Sequence, residues 1–144
     1  MIEAQISKYR RGTRTCYRYT AKGHGRSAQC IALSTVEGSV CTHLGRLGED
    51  PRNRDYIKIR ITSGDGALML DTDIDDHALL YAYHTVDAMY DLLDSAISHI
   101  NTNGEANWDD IRLVTGSDES SAKGWREDHD IGLIPMYPVQ KVSK

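Results

Sequence analysis

A chain of 144 residues with 40% hydrophobic and 26% charged residues has the size and composition of one folded domain, which excludes a disordered chain. It holds no apolar run near the roughly 20 residues of a membrane span, and the start MIEAQISKYRR lacks the apolar core of a signal peptide, so a cytoplasmic location is expected. The net charge of −4 conceals a segregation: residues 1–62 balance at +7 and residues 63–144 at −11, which points to partners of high charge or to two parts of one fold that neutralise each other.

In chain order, Ile2, Ala4 and Ile6 alternate with polar residues as in a half-buried strand. Gly12 can reverse the chain into a second strand over 15–20, with Thr15, Tyr17 and Tyr19 on one face and Cys16, Arg18 and Thr20 on the other. A glycine-containing loop over 22–26 follows. Alternation resumes over 29–35 and 40–44, split by Glu37-Gly38, and predicts two more strands. The polar stretch 45–53 reads as a connection. Ile57, Ile59 and Ile61 then share one strand face, with Lys58, Arg60 and Thr62 on the other, and residues 63–66 turn the chain into a strand over 67–70.

Leu79, Tyr83, Val86, Tyr90, Leu93, Ile97 and Ile100 recur at spacings of four and three, the stripe of an amphipathic helix. The spacing predicts a helix over 75–100, with Asp73, Asp75 and Asp76 at its N-terminus and Asn103-Gly104 as its stop. Residues 111–115 and 131–139 read as two further strands, separated by a long polar stretch that carries Trp125. No internal repeat is visible. The fold expected is α+β, a single domain over 1–144 in which an antiparallel sheet of five to seven strands packs against one long amphipathic helix. The helix stripe also has the spacing of an oligomer seam.

The chain has 8 Tyr, 2 Trp and no Phe, so tyrosine hydroxyls must find partners at the core edge or at a surface. Cys16, Cys30 and Cys41 form no CxxC pair, and with His24 and His43 they lack the spacing of a zinc site. Free thiols, no metal and no cofactor are the expectation.

Residues 8–26 hold seven cations, three tyrosines and no acid. Lys8, Tyr9, Arg10, Arg11, Arg14, Tyr17, Arg18, Tyr19, Lys22 and Arg26 could neutralise phosphates and stack on unpaired bases, and a two-stranded ribbon can enter a DNA major groove. Their expected partner is nucleic acid or a nucleic-acid-binding protein. Replacing Arg10, Arg11, Arg14 and Arg18 with Ala is expected to remove partner capture and leave stability intact. The solvent face of the helix, with Asp87, Asp91 and Asp94, offers a second, acidic surface for a protein partner, and Trp125 an anchor for it. These features predict a non-enzymatic macromolecular binding protein, such as a small inhibitor or accessory factor of a nucleic-acid-handling complex. The alternative is a metal-dependent phosphodiesterase using Asp71, Asp73 and Asp76 before the helix with Asp109 and Asp110 after it. No GxSxG elbow is present, and Gly23-His24-Gly25 is too short for a Walker-type phosphate loop.

Overall fold

The computed structural model describes residues 1–106 and 108–118, and the backbone of 134–137. The order of elements is β1 (Glu3–Arg11), β2 (Arg14–Lys22), α1 (Ser27–Glu49), β3 (Ile57–Gly64), β4 (Ala67–Asp75), α2 (Leu80–Asn103), β5 (Arg112–Gly116) and β6 (Ile134–Tyr137). The strands form one sheet in the order β5-β1-β2-β4-β3-β6. Trp125 and the ends of the strand expected over 131–139 lie outside the described residues.

The α+β class and a sheet within the expected strand number hold, but the sheet is mixed. β1 pairs with β5 in parallel, while β1–β2, β2–β4, β4–β3 and β3–β6 are antiparallel. The described residues also form two long helices where one was expected. The stretch 29–44, read as two strands, lies inside α1. Ile31, Thr35, Val36, Val40 and Thr42 are β-branched, and Gly38 interrupts them, so local propensity favours a strand. Packing decides otherwise: Gln29, Leu33, Val40, Cys41, Leu44, Gly45 and Gly48 are buried along one helical stripe. Thr35 and Thr42 turn their hydroxyls back to the carbonyls of Ile31 and Gly38 at 2.8 Å, which satisfies them inside the helix.

The aspartates before α2 have a different position from that expected. Asp71, Asp73 and Asp75 extend β4, and α2 begins only at Leu80, with no acidic residue in its first turn. The stripe itself is where the spacing put it. Val86, Tyr90, Leu93, Ile97 and Ile100 are buried in the chain's own core, whereas Leu79, at the N-cap, is 45% exposed.

Both helices cover one face of the sheet. On β2, Tyr17 reaches α2 through Asp87 and Tyr90, and Tyr19 reaches α1 through Glu37. Ile57, Ile59 and Ile61 of β3 and Leu70 and Ile74 of β4 fill the layer between, each at most 2% exposed. Each such side chain contributes about 1.5–3 kcal/mol on leaving water.

Two hairpin–helix halves follow one another at a constant offset of 53 residues, since β2 and β4 begin at 14 and 67 and α1 and α2 at 27 and 80. A pseudo-twofold axis between β2 and β4 relates them. Gly23 N–H donates to the Gly66 carbonyl at 2.8 Å, and its counterpart, Asp76 N–H, donates to the Thr13 carbonyl at 2.9 Å. Burial follows the same offset in the helices: Gln29 with Ala82, Leu33 with Val86, Val40 with Leu93 and Leu44 with Ile97. Between residues 3–50 and 56–103 only Ile6/Ile59 and His24/His77 are identical, so the repeat is one of packing and not of sequence. No described helix is long and apolar enough to cross a membrane.

Candidate nucleic-acid interface

The basic stretch is not a free ribbon. β1 and β2 are inner strands, flanked by β5 and β4, so they cannot enter a groove as a two-stranded arm. Strand alternation then divides the stretch between the two faces. Lys8, Arg10, Tyr17 and Tyr19 point to the helices, and Tyr9, Arg11, Arg14, Arg18 and Lys22 to the other side.

On the helix side every one of these groups is engaged. Lys8 Nζ donates to Asp87 Oδ1 at 2.7 Å and lies 5.3 and 5.9 Å from the ring centres of Tyr17 and Tyr83. The Tyr17 hydroxyl donates to the same carboxylate oxygen at 2.6 Å. The bonds from Lys8 and then Tyr17 hold the Asp87 carboxyl below the usual carboxylate range. Arg10 grips Asp76 at two points, 2.6 and 2.8 Å. Tyr17 stacks on Tyr90 with ring centres 4.8 Å apart, and Tyr19 is fully buried, so neither ring can receive a base.

On the other side, helix-free among the described residues, Arg18 holds Asp71, Arg14 meets Asp73 at 3.2 Å and Lys22 meets Glu3 at 3.5 Å. The basic and acidic parts of the sequence therefore neutralise one another across β2 and β4 and across β1 and α2. Arg10, Arg14 and Arg18 are each engaged in an ion pair within the chain, that of Arg10 about half exposed and those of Arg14 and Arg18 more deeply set. Arg26 is exposed at the start of α1.

A cationic surface nevertheless forms on the helix-free side from residues the basic stretch does not contain. Cross-strand pairing sets Tyr9, Cys16, Asp73 and Lys58 in one row and Ser7, Arg18, Asp71 and Arg60 in the next. Arg18 holds both oxygens of Asp71 and Arg14 holds Oδ2 of Asp73, while Lys58 and Arg60 stand half-buried with no ion pair among the described residues. With Tyr9, Arg11 and Cys16 they border a depression of about 300 Å³. Burial, then the nearby Asp73 charge, raises the Cys16 thiol, so it is not a ready nucleophile. The other end of this face is closed: Thr20, Met69 and Thr62 are at most 3% exposed. Lys58 and Arg60 were legible as the polar alternates of the Ile57, Ile59, Ile61 strand; what the sequence did not reveal is that their cross-strand acids are claimed from the other side.

The aspartates of the alternative reading diverge. Asp71 and Asp73 lie on the helix-free face under Arg18 and Arg14, and Asp76 is held by Arg10. No group of three or more His, Cys, Asp or Glu among the described residues could hold a metal ion. Asp109 and Asp110 are exposed beyond α2. On α2, Asp91 and Asp94 face solvent while Asp87 is engaged; Trp125 is outside the described residues. Cys16 and Cys41 are buried free thiols and Cys30 is half-buried.

No protein-family model and no curated protein matches the sequence. Among solved structures, the crystal structure of SMU.848 from Streptococcus mutans is similar at a TM-score of 0.45 and 17% identity, over 82% of this chain and 94% of that one.

Proposed function

We propose that the protein is a non-enzymatic binding protein that holds single-stranded nucleic acid against the helix-free face of its sheet. The observation that carries this reading is the pair Lys58 and Arg60, kept half-buried without an ion pair among the described residues beside Arg11 and the Tyr9 ring. Lys58 and Arg60 make no ion pair among the described residues although Asp71 and Asp73 border the same depression, and a phosphate backbone supplies the charge they lack. Guanidinium planes and a tyrosine ring give bases a stacking surface that tolerates any sequence. Asp91 and Asp94, on the solvent side of α2 at the opposite face of the molecule, leave an acidic surface for a basic partner in a nucleic-acid-handling complex.

Fluorescence anisotropy with labelled single-stranded DNA and RNA across a salt series tests the reading. Salt-sensitive binding is expected, weakened about tenfold or more in Lys58→Gln/Arg60→Gln, with a shallower salt slope by roughly one to two ions. Absence of binding by the unaltered protein, or an unchanged salt slope in the double variant, would reject the site.

A further inference from the structure

The pseudo-twofold axis pairs two spaces between a helix and a hairpin, and the described side chains occupy them unequally. Between α2 and the β1–β2 hairpin, Tyr17 stacks on Tyr90, and the half-exposed Lys8 ammonium closes the space from outside, bonded to Asp87 and set over the rings of Tyr17 and Tyr83. Between α1 and the β3–β4 hairpin the counterparts are smaller. Ser34 stands for Asp87, Ser63 for Arg10 and Cys30 for Tyr83. The result is a cavity of about 320 Å³ with Leu33, Cys41 and Leu68 on its apolar walls.

Among the described residues one carboxyl lines this cavity, that of Glu37. Its Oε2 accepts a hydrogen bond from the Tyr19 hydroxyl at 2.6 Å, and its Oε1 has no partner among the described residues. No cation of the described residues reaches it, whereas the acid of the other half has Lys8. We propose that the cavity binds a small molecule with a primary ammonium group on a short apolar body. Its ammonium takes the free oxygen of Glu37 as Lys8 takes Asp87, and its hydrocarbon part lies against Leu33, Cys41 and Leu68. This site is on the helix side of the sheet and is independent of the nucleic-acid reading.

Calorimetric titration of the full chain with n-butylammonium, n-butanol and butyrate at about pH 8 tests it. Saturable binding is expected for the amine alone, weakened about tenfold or more by Glu37→Gln and also lost in Gly38→Leu. Gly38 has open space where a side chain would begin, so Gly38→Leu can obstruct the cavity without disturbing the fold, and circular dichroism of both variants confirms that they are folded. No saturable amine binding, equal affinity for butanol, or full affinity in Glu37→Gln would overturn the proposal.

Discussion

Arg18 and Asp71 form a two-point ion pair, Nε to Oδ1 at 2.6 Å and Nη2 to Oδ2 at 2.9 Å, at the centre of the β2–β4 pairing. The axis relating the two halves passes between them, so each stands at the other's counterpart position. Two identical halves would set like charges face to face at this point. The ion pair is therefore possible only because the halves differ, and it locks the two hairpins into one sheet.

The side chains of that pair are 15% and 23% exposed, which makes an unmatched charge there costly. Arg18→Asp and Asp71→Arg are each expected to lower stability by about 1–3 kcal/mol, discounted for partial solvent contact. The double swap, Arg18→Asp with Asp71→Arg, should recover most of the loss because the positions are equivalent. Urea denaturation of all four proteins measures it; a double swap no more stable than the weaker single variant would disprove the equivalence.

Glu37 links stability to pH. Burial pushes its carboxyl up from 4.5 to about 7, against the opposing effect of the Tyr19 hydrogen bond. The folded state then holds a proton that the unfolded chain releases, so Glu37's contribution is complete below about pH 4.5 and declines as pH rises, until it is lost above about pH 7. The total is on the order of 3 kcal/mol. Glu37→Gln should flatten this part of the stability profile and be the more stable protein at about pH 8. Parallel profiles for the two proteins would show that the carboxyl is not desolvated.

Tyr90 tests how far the second half reproduces the first. In the first half a strand tyrosine, Tyr19, donates to a helix residue, Glu37; at the counterpart positions a helix tyrosine, Tyr90, donates to a strand residue, Thr72, at 2.9 Å. Tyr90→Phe loses that bond and the longer contact of the hydroxyl with the Leu70 carbonyl at 3.4 Å, and is expected to cost about 1 kcal/mol. Tyr90→Leu also removes the ring stacked on Tyr17 and should cost about 2–4 kcal/mol. A similar loss in both variants would place the energy in the hydroxyl and not in the packing.

The parts of the fold that could be read from the sequence are those where local pattern and tertiary packing agree. The 79–100 stripe is such a case, as are the alternating isoleucines of β3 and the turn at Gly12, whose φ of +61° suits glycine. α1 was hidden because its β-branched and glycine residues argue against a helix that only packing sustains. The repeat was hidden because burial, and not identity, recurs at the offset of 53. The basic stretch suggested a site by its charge, yet charge along the chain does not say which acids lie across the sheet. Asp71, Asp73, Asp76 and Asp87 are 53 to 79 residues away from the cations they hold. The surface that remains, around Lys58 and Arg60, emerges only after those pairs are assigned.

Gly23 and Gly12 both have positive φ, +100° and +61°, but their surroundings differ. A Cβ on Gly12 would meet nothing within 4 Å, whereas one on Gly23 would lie 2.3 Å from the Met1 carbonyl oxygen. The Met1 ammonium is itself fixed by the His24 carbonyl at 2.9 Å, and Ile2 beside it is buried, so the N-terminus cannot simply step aside. Gly12→Ala should therefore cost about 1 kcal/mol, the strain of the backbone alone. Gly23→Ala should cost more, about 2–4 kcal/mol, because backbone must move as well. Asp76, the counterpart of Gly23, keeps the same kind of N–H bond without a positive φ, so the demand for glycine comes from the crossing N-terminus and not from the repeat. Equal losses for the two alanine variants in urea denaturation would contradict that assignment.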